Sequence, residues 1–140
     1  MREAVVDASV VVKWFVEEEG SDKALKVRDM YVEGEVELVA PELLVYEVLN
    51  ALYYKRLFSE EEMAQVLEAL EAYSFKLYPL KGEYARKALE ISYRCDVTVY
   101  DASYVALAVL RDTYVYTADE KLARRLGEPY SGRVKLISSL

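Results

Sequence analysis

The chain contains no histidine. That removes the side chain that most often serves as a general base near neutral pH, and with it the imidazole metal ligand. A single cysteine, Cys95, excludes a disulfide framework and a thiolate metal cluster, so a reducing cytoplasm is the expected setting. Only five glycines are present, and neither a P-loop nor a dinucleotide-binding fingerprint occurs, which leaves little room for a phosphate-cradling loop. No stretch reaches the about 18 uncharged apolar residues of a membrane span. The opening run is interrupted by Asp7 without a small-residue cleavage signal, so it reads as a strand entering a helix and not as a signal peptide. Asn50 and Gln65 are the sole representatives of their types, beside 25 acidic and 18 basic residues and 13 tyrosines. This composition leans toward a thermophile.

What is present is a chain of 140 residues, 54% hydrophobic, long enough for one domain, 1–140, with its own core. The formal net charge of −7 argues against gripping nucleic acid by bulk attraction. A phosphate-bearing substrate would need bound metal and a few placed Lys or Arg residues.

Short apolar strands are expected at 4–6, 36–39, 75–78, 113–116 and 134–137. Helical patterns fall between them. The first is an amphipathic stretch at 10–16, and Ser21 is placed to cap a helix over 22–33 that Gly34 stops. Pro41 suits the first turn of a helix running to about 55. Ser59 and Glu62 form a capping-box signature for 60–73. Further helices are expected at 83–94, 99–110 (opened by Thr98 and rich in alanine and valine) and 120–126. Alternation without tight hairpin signals indicates an α/β domain with a parallel sheet covered on both faces. The consecutive helices over 41–73 could form a clip-like extension or a dimer contact.

Four acids stand apart because each sits close to an apolar run, where a strand ends, a helix starts or a helix turns inward, and a charge pushed toward low dielectric must be paired or bound to metal. Asp7 follows the first strand, at the position where such folds bind ligands; it would equally serve as an N-cap. Glu47 lies mid-helix among Leu43, Leu44, Asn50 and Ala51, either on a solvated stripe with Asn50 or turned inward. Asp101, three residues after Thr98, could close a capping box or point toward the same end of the sheet, with Asp96 as an auxiliary acid. Asp119 follows the fourth strand and could simply cap the next helix. Ser9 and Thr117 are hydroxyls suited to orienting a carboxylate, a water or a phosphate oxygen. If these carboxylates converge, they repel one another unless a cation neutralises them, and all-oxygen ligands suit Mg²⁺ or Mn²⁺.

The segments VVDASVVVKWF, PELLVYEVLNAL, VTVYDASYVALAV and YTADEKL carry Asp7, Glu47, Asp101 and Thr117 with Asp119 in that order. In these motifs, over essentially the whole length, the chain resembles PIN-domain proteins, specifically the small VapC-type toxins of prokaryotic toxin–antitoxin pairs. The resemblance implies a three-layer α/β fold with a parallel five-stranded sheet of order 3-2-1-4-5 flanked by helices. It also implies a Mg²⁺- or Mn²⁺-dependent endoribonuclease. Asp7, Glu47, Asp101 and Asp119 would be its catalytic and metal-binding acids, with Ser9 and Thr117 in support. A homodimer and a cognate antitoxin occupying the groove near the acids are implied as partners.

The motifs single out no basic residue; Lys13, Arg56, Arg94 and Lys121 are loose candidates for phosphate contacts. Tyr53, Tyr54, Tyr93 and Tyr104 are expected in the core or an interface rather than as base-stacking platforms. Three other functions stand against the ribonuclease. A receiver domain would want adjacent acids after the first strand and an acceptor aspartate after the third. Asp7 stands alone, and Tyr78, Pro79, Leu80 and Lys81 offer no acid. A non-catalytic PIN-like scaffold that binds a basic peptide, and a nuclease acting on DNA, remain as alternatives.

Overall fold

A computed structural model describes residues 2–140. Five strands run β1 (Glu3–Val6), β2 (Glu37–Pro41), β3 (Lys76–Tyr78), β4 (Val115–Thr117) and β5 (Val134–Leu136). They form one sheet of order β3-β2-β1-β4-β5, and every pairing is parallel, as expected. The helices are α1 (Ala8–Val11), α2 (Ser21–Val32), α3 (Leu43–Lys55), α4 (Glu60–Tyr73), α5 (Gly82–Cys95), α6 (Val99–Leu110) and α7 (Glu120–Arg125). Among the described residues no helix is long and apolar enough to cross a membrane.

The central strand reads as a continuous apolar run because both its faces are covered: Ala4, Val5 and Val6 are fully buried. Helix α6 packs against β1, β2 and β4. Its alanines at 102, 106 and 108, all buried, let the helix backbone approach the sheet closely. Both expected caps at Ser59 and Thr98 are made. The Ser59 hydroxyl accepts from the Glu62 N–H at 3.1 Å while the Glu62 carboxylate accepts from the Ser59 N–H at 2.8 Å. The Thr98 hydroxyl accepts from the Asp101 N–H at 3.0 Å.

Several boundaries differ from expectation for local physical reasons. Pro41 ends β2 instead of opening α3: it lies opposite Tyr78 in the ladder, and Glu42 supplies the N–H to the Tyr78 carbonyl that proline lacks. Ser21 is the first residue of α2, not its cap. Its hydroxyl donates to the Val16 carbonyl at 2.9 Å and accepts from the Glu18 N–H at 2.9 Å, so it ties down the preceding loop. The amphipathic stretch after Asp7 splits into α1 and a 3₁₀ turn over Val12–Trp14. The fourth strand extends through Thr117, and residue 137 begins a terminal 3₁₀ turn rather than ending β5.

Helix α3 buries Leu44, Val48 and Leu52 while Tyr46 stays 75% exposed. Leu44→Ala should therefore cost about 2–5 kcal/mol in urea denaturation, whereas Tyr46→Ala should stay within about 0.5 kcal/mol.

Candidate active site

Strand β1 lies at the centre of the sheet, between β2 and β4; the chain leaving β1 crosses to β2 on one side, and the chain leaving β4 crosses to β5 on the other. Such a switch point opens a crevice beyond the strand ends. The ladder continues one residue past β1, where the Asp7 N–H donates to the Tyr116 carbonyl at 3.0 Å. This bond sets Asp7 beside Thr117, the last residue of β4.

Asp7 occupies the N-cap position of α1, yet its side chain makes no cap hydrogen bond. The carboxylate is buried and is held through one oxygen. Thr117 Oγ1 donates to Oδ2 at 2.6 Å, and Ser9 Oγ donates to the same atom at 2.9 Å. Both hydroxyl protons are thereby committed, and the two hydroxyls also accept backbone N–H groups, from Asp119 on Thr117 and Ala118 on Ser9, each at 3.0 Å. Oδ1 receives no donor among the described residues. Ser9 and Thr117 thus orient the carboxylate, one of the roles expected of them.

Glu47 is half-buried and borders two cavities, the acidic one and a groove it shares with Asn50, Tyr46 and Tyr53. Its Oε1 accepts the Tyr104 hydroxyl at 2.6 Å. Asp101 lies in the first turn of α6, its N–H capped by Thr98. Asp119 makes the anticipated cap, accepting the Leu122 N–H on Oδ1 at 3.1 Å. Capping and pocket-lining coincide here: Asp7, Glu47, Asp101 and Asp119 all line one open cavity of about 490 Å³, together with Ser9, Lys13, Glu18 and Lys55.

The electrostatics of this cavity are those of crowded carboxylates. Burial raises the Asp7 pKa, the Thr117 and Ser9 hydroxyls oppose the rise, and the charges of Asp101 and Asp119 add to it. Burial also raises Glu47; the Tyr104 hydroxyl offsets part of this, while Asp7 and Asp101 push further upward. Asp101 is raised by burial and by Asp119, against weaker opposition from Thr98 and Arg125. Tyr104 is held firmly neutral by burial and by the neighbouring Asp7 and Glu47 charges, so it acts as a donor.

Among the described residues no group of three or more acids is already gathered into a metal cage. Like charges without a counterion favour wider spacing, and a hard cation that keeps waters needs only one or two direct carboxylates. The donor set fits Mg²⁺ or Mn²⁺ in kind: oxygen only, one carboxylate oxygen of Asp7 without a donor, and mutual repulsion that a cation would reverse.

Two features of the site were not anticipated. Tyr104 was expected in the core or an interface; it is in the core, but its hydroxyl also holds Glu47. The signal available was its place three residues after Asp101, on the same side of α6. Glu18, in the polar break after α1, joins two lysines at the cavity rim: Lys13 Nζ lies 3.0 Å from Oε2 and Lys55 Nζ 2.7 Å from Oε1. These hydrogen bonds, Lys55 foremost, hold the Glu18 pKa low. The other basic candidates lie elsewhere. Arg56 stacks over the Tyr53 ring at 4.7 Å, Arg94 lies 3.7 Å from Glu90, and Lys121 lines a neighbouring cleft. Asp96 does not line the cavity; it ends α5, and its carbonyl accepts from Arg125. Tyr53, Tyr54 and Tyr93 are exposed rather than in the core.

Comparison with known proteins identifies the family and the fold. The sequence model of the PIN domain matches residues 4–127. The chain is 35% identical over 126 residues to Ribonuclease VapC3 of Pyrobaculum aerophilum, covering 86% of this chain and 92% of that protein. It is 36% identical over 134 residues to Ribonuclease VapC1 of Mycobacterium tuberculosis, covering 92% and 95%. The fold is shared with a toxin–antitoxin complex from Klebsiella pneumoniae at a TM-score of 0.68 and 15% identity, over 96% of this chain and 97% of that one. With four acids at the carboxyl end of a 3-2-1-4-5 sheet and this extent of similarity, the chain belongs to the PIN-domain family, within its VapC-like group.

Proposed function

We propose that this protein is a Mg²⁺- or Mn²⁺-dependent endoribonuclease, the toxin of a type II toxin–antitoxin pair. The observation that carries the reading is the buried Asp7 carboxylate, held through one oxygen and sharing its cavity with three further acids whose charges destabilise one another. A structural role alone gives no reason to gather like charges at the mouth of a parallel sheet. The similarity to proteins named Ribonuclease VapC supports RNA as the substrate, and likeness in fold to a toxin–antitoxin complex supports an antitoxin as partner. A homodimer and a cytoplasmic setting belong to the same proposal.

In this reading Asp7, Asp101, Asp119 and Glu47 hold the cation, directly or through its waters. The bound cation would supply Lewis-acid stabilisation of the phosphodiester and a more acidic water. Ser9 and Thr117 keep Asp7 in one orientation, and the neutral Tyr104 keeps Glu47 turned toward the cavity. Their value lies in preorganisation, since a carboxylate already aimed needs no rearrangement when substrate arrives.

Cleavage of a panel of structured and single-stranded RNAs with Mn²⁺ or Mg²⁺, run beside matched DNAs, tests the proposal. Wild-type protein should cleave RNA and stop on chelation, and Asp7→Asn should lose roughly a hundredfold or more. Thr117→Val should lose roughly 10–100-fold while remaining folded. Equal cleavage by Asp7→Asn would contradict the mechanism, preference for DNA would change the substrate, and no cleavage together with no cation binding would favour the scaffold.

The acids also predict a pH signature. Asp7, Glu47 and Asp101 have folded pKa values above their ordinary range. Their contribution to stability is therefore present below about pH 4 and lost as pH rises through the elevated values. Glu90, held at about 2 by Lys87 and Tyr130, has the opposite sign, so the comparison must be with a variant. Without cation, Asp7→Asn should melt roughly 3 °C or more above wild type at pH 7.5, and the gain should shrink as pH falls toward about 4.

A further inference from the structure

Among the described residues two basic side chains line the acidic cavity, Lys13 from the 3₁₀ turn and Lys55 from the end of α3, and one carboxylate bridges them. Glu18 presents one oxygen to each ammonium, at 3.0 Å and 2.7 Å. A carboxylate spanning two ammonium groups in this way occupies the place that two non-bridging oxygens of a phosphate would take. We propose that Lys13 and Lys55 form the seat for a phosphate adjoining the scissile one, and that Glu18 fills this seat until a nucleic-acid strand displaces it. The inference rests on the nuclease reading and extends it to how an acidic protein admits a polyanion.

The seat is built in the sense that Lys13 does not depend on Glu18 for its position. Its ammonium also donates to the Glu19 carbonyl at 2.6 Å. Its stem lies against Gly20, where a Cβ would stand 3.4 Å from the lysine Cε, and Gly20 adopts a φ of +88° that disfavours other residues. Lys13 therefore stays when Glu18 leaves. Glu18, 30% exposed at its side chain, is anchored through its backbone N–H to Ser21, so its side chain can swing while the loop remains in place. Lys13 also borders an adjoining cleft in which Lys121 and Arg124 stand among the acids Glu19, Asp119 and Glu120. With a net charge of −7, these placed cations are where a phosphate chain can be held. Freed lysines would also lie beside the acids and lower the cost of bringing a further negative group to them.

A latch and a structural ion pair predict different signs. If the bridge is only structural, Glu18→Gln, Lys13→Gln and Lys55→Gln all weaken the protein in the same direction. If Glu18 competes with phosphate, Glu18→Gln tightens RNA binding while the lysine variants loosen it. The test is fluorescence anisotropy of a single-stranded RNA oligonucleotide from the cleavage panel, at several NaCl concentrations, with KM and kcat in Mn²⁺ for the same variants. Glu18→Gln should lower Kd and KM by roughly three- to tenfold. Each lysine variant should raise both by a similar factor and reduce the slope of log K against log salt by about 0.7. RNA cleavage by the wild type with slopes unchanged in both lysine variants, or with Glu18→Gln no tighter, overturns the seat and leaves the nuclease reading standing. Absence of any RNA binding by the wild type overturns both.

Discussion

The burial of the Asp7 carboxylate between β1 and β4 is the constraint on which the site depends. Its N–H completes the ladder to Tyr116, and its Oδ2 receives the protons of Thr117 and Ser9. One residue is thus fixed through backbone and side chain to both strands that flank the switch point. The remaining acids arrive on separate elements: Glu47 on α3, Asp101 on α6 and Asp119 at the start of α7. Each position follows from packing of its own element, and the result is a concentration of negative charge that the fold tolerates because partial protonation or a cation can relieve it.

Stability and function therefore pull against each other locally. The apolar strands and the alanine-rich α6 supply the core that holds the acids in place. The acids in turn leave the cation-free protein with carboxyls raised above their ordinary values. Such local destabilisation is common at functional sites, where charge is arranged for a ligand rather than for the apo fold. The Lys13–Glu18–Lys55 bridge has the opposite sign: the two ammonium groups hold the Glu18 pKa low, and a carboxylate from a tethered loop covers cations that stand beside the acids.

Much of this was legible in the sequence, because local signals and global structure agree. The β1 residues Ala4, Val5 and Val6 form an apolar run bounded by an acid, and the Ser59–Glu62 spacing is a complete capping box. Pro41 was ambiguous because its fixed φ suits both a strand end and a first helical turn; only the pairing with β3, a non-local contact, decides. Ser21 misled for a similar reason, since its hydroxyl found partners in the loop before it. Asp7, Asp101 and Asp119 could be named from their places at segment edges and Glu47 from its place within an apolar helix, but not whether the four converge. Tyr104 holding Glu47, 57 residues away, and Glu18 reaching Lys55, 37 residues away, are tertiary contacts that no local spacing encodes.

The most direct test of the central claim is calorimetric titration of Mn²⁺ into wild-type protein and Asp7→Asn at pH 7.5. Saturable binding to the wild type, weakened by roughly tenfold or more in the variant, is the predicted result. Equal binding by the two proteins, or none to the wild type at millimolar Mn²⁺, would contradict a cation site centred on Asp7.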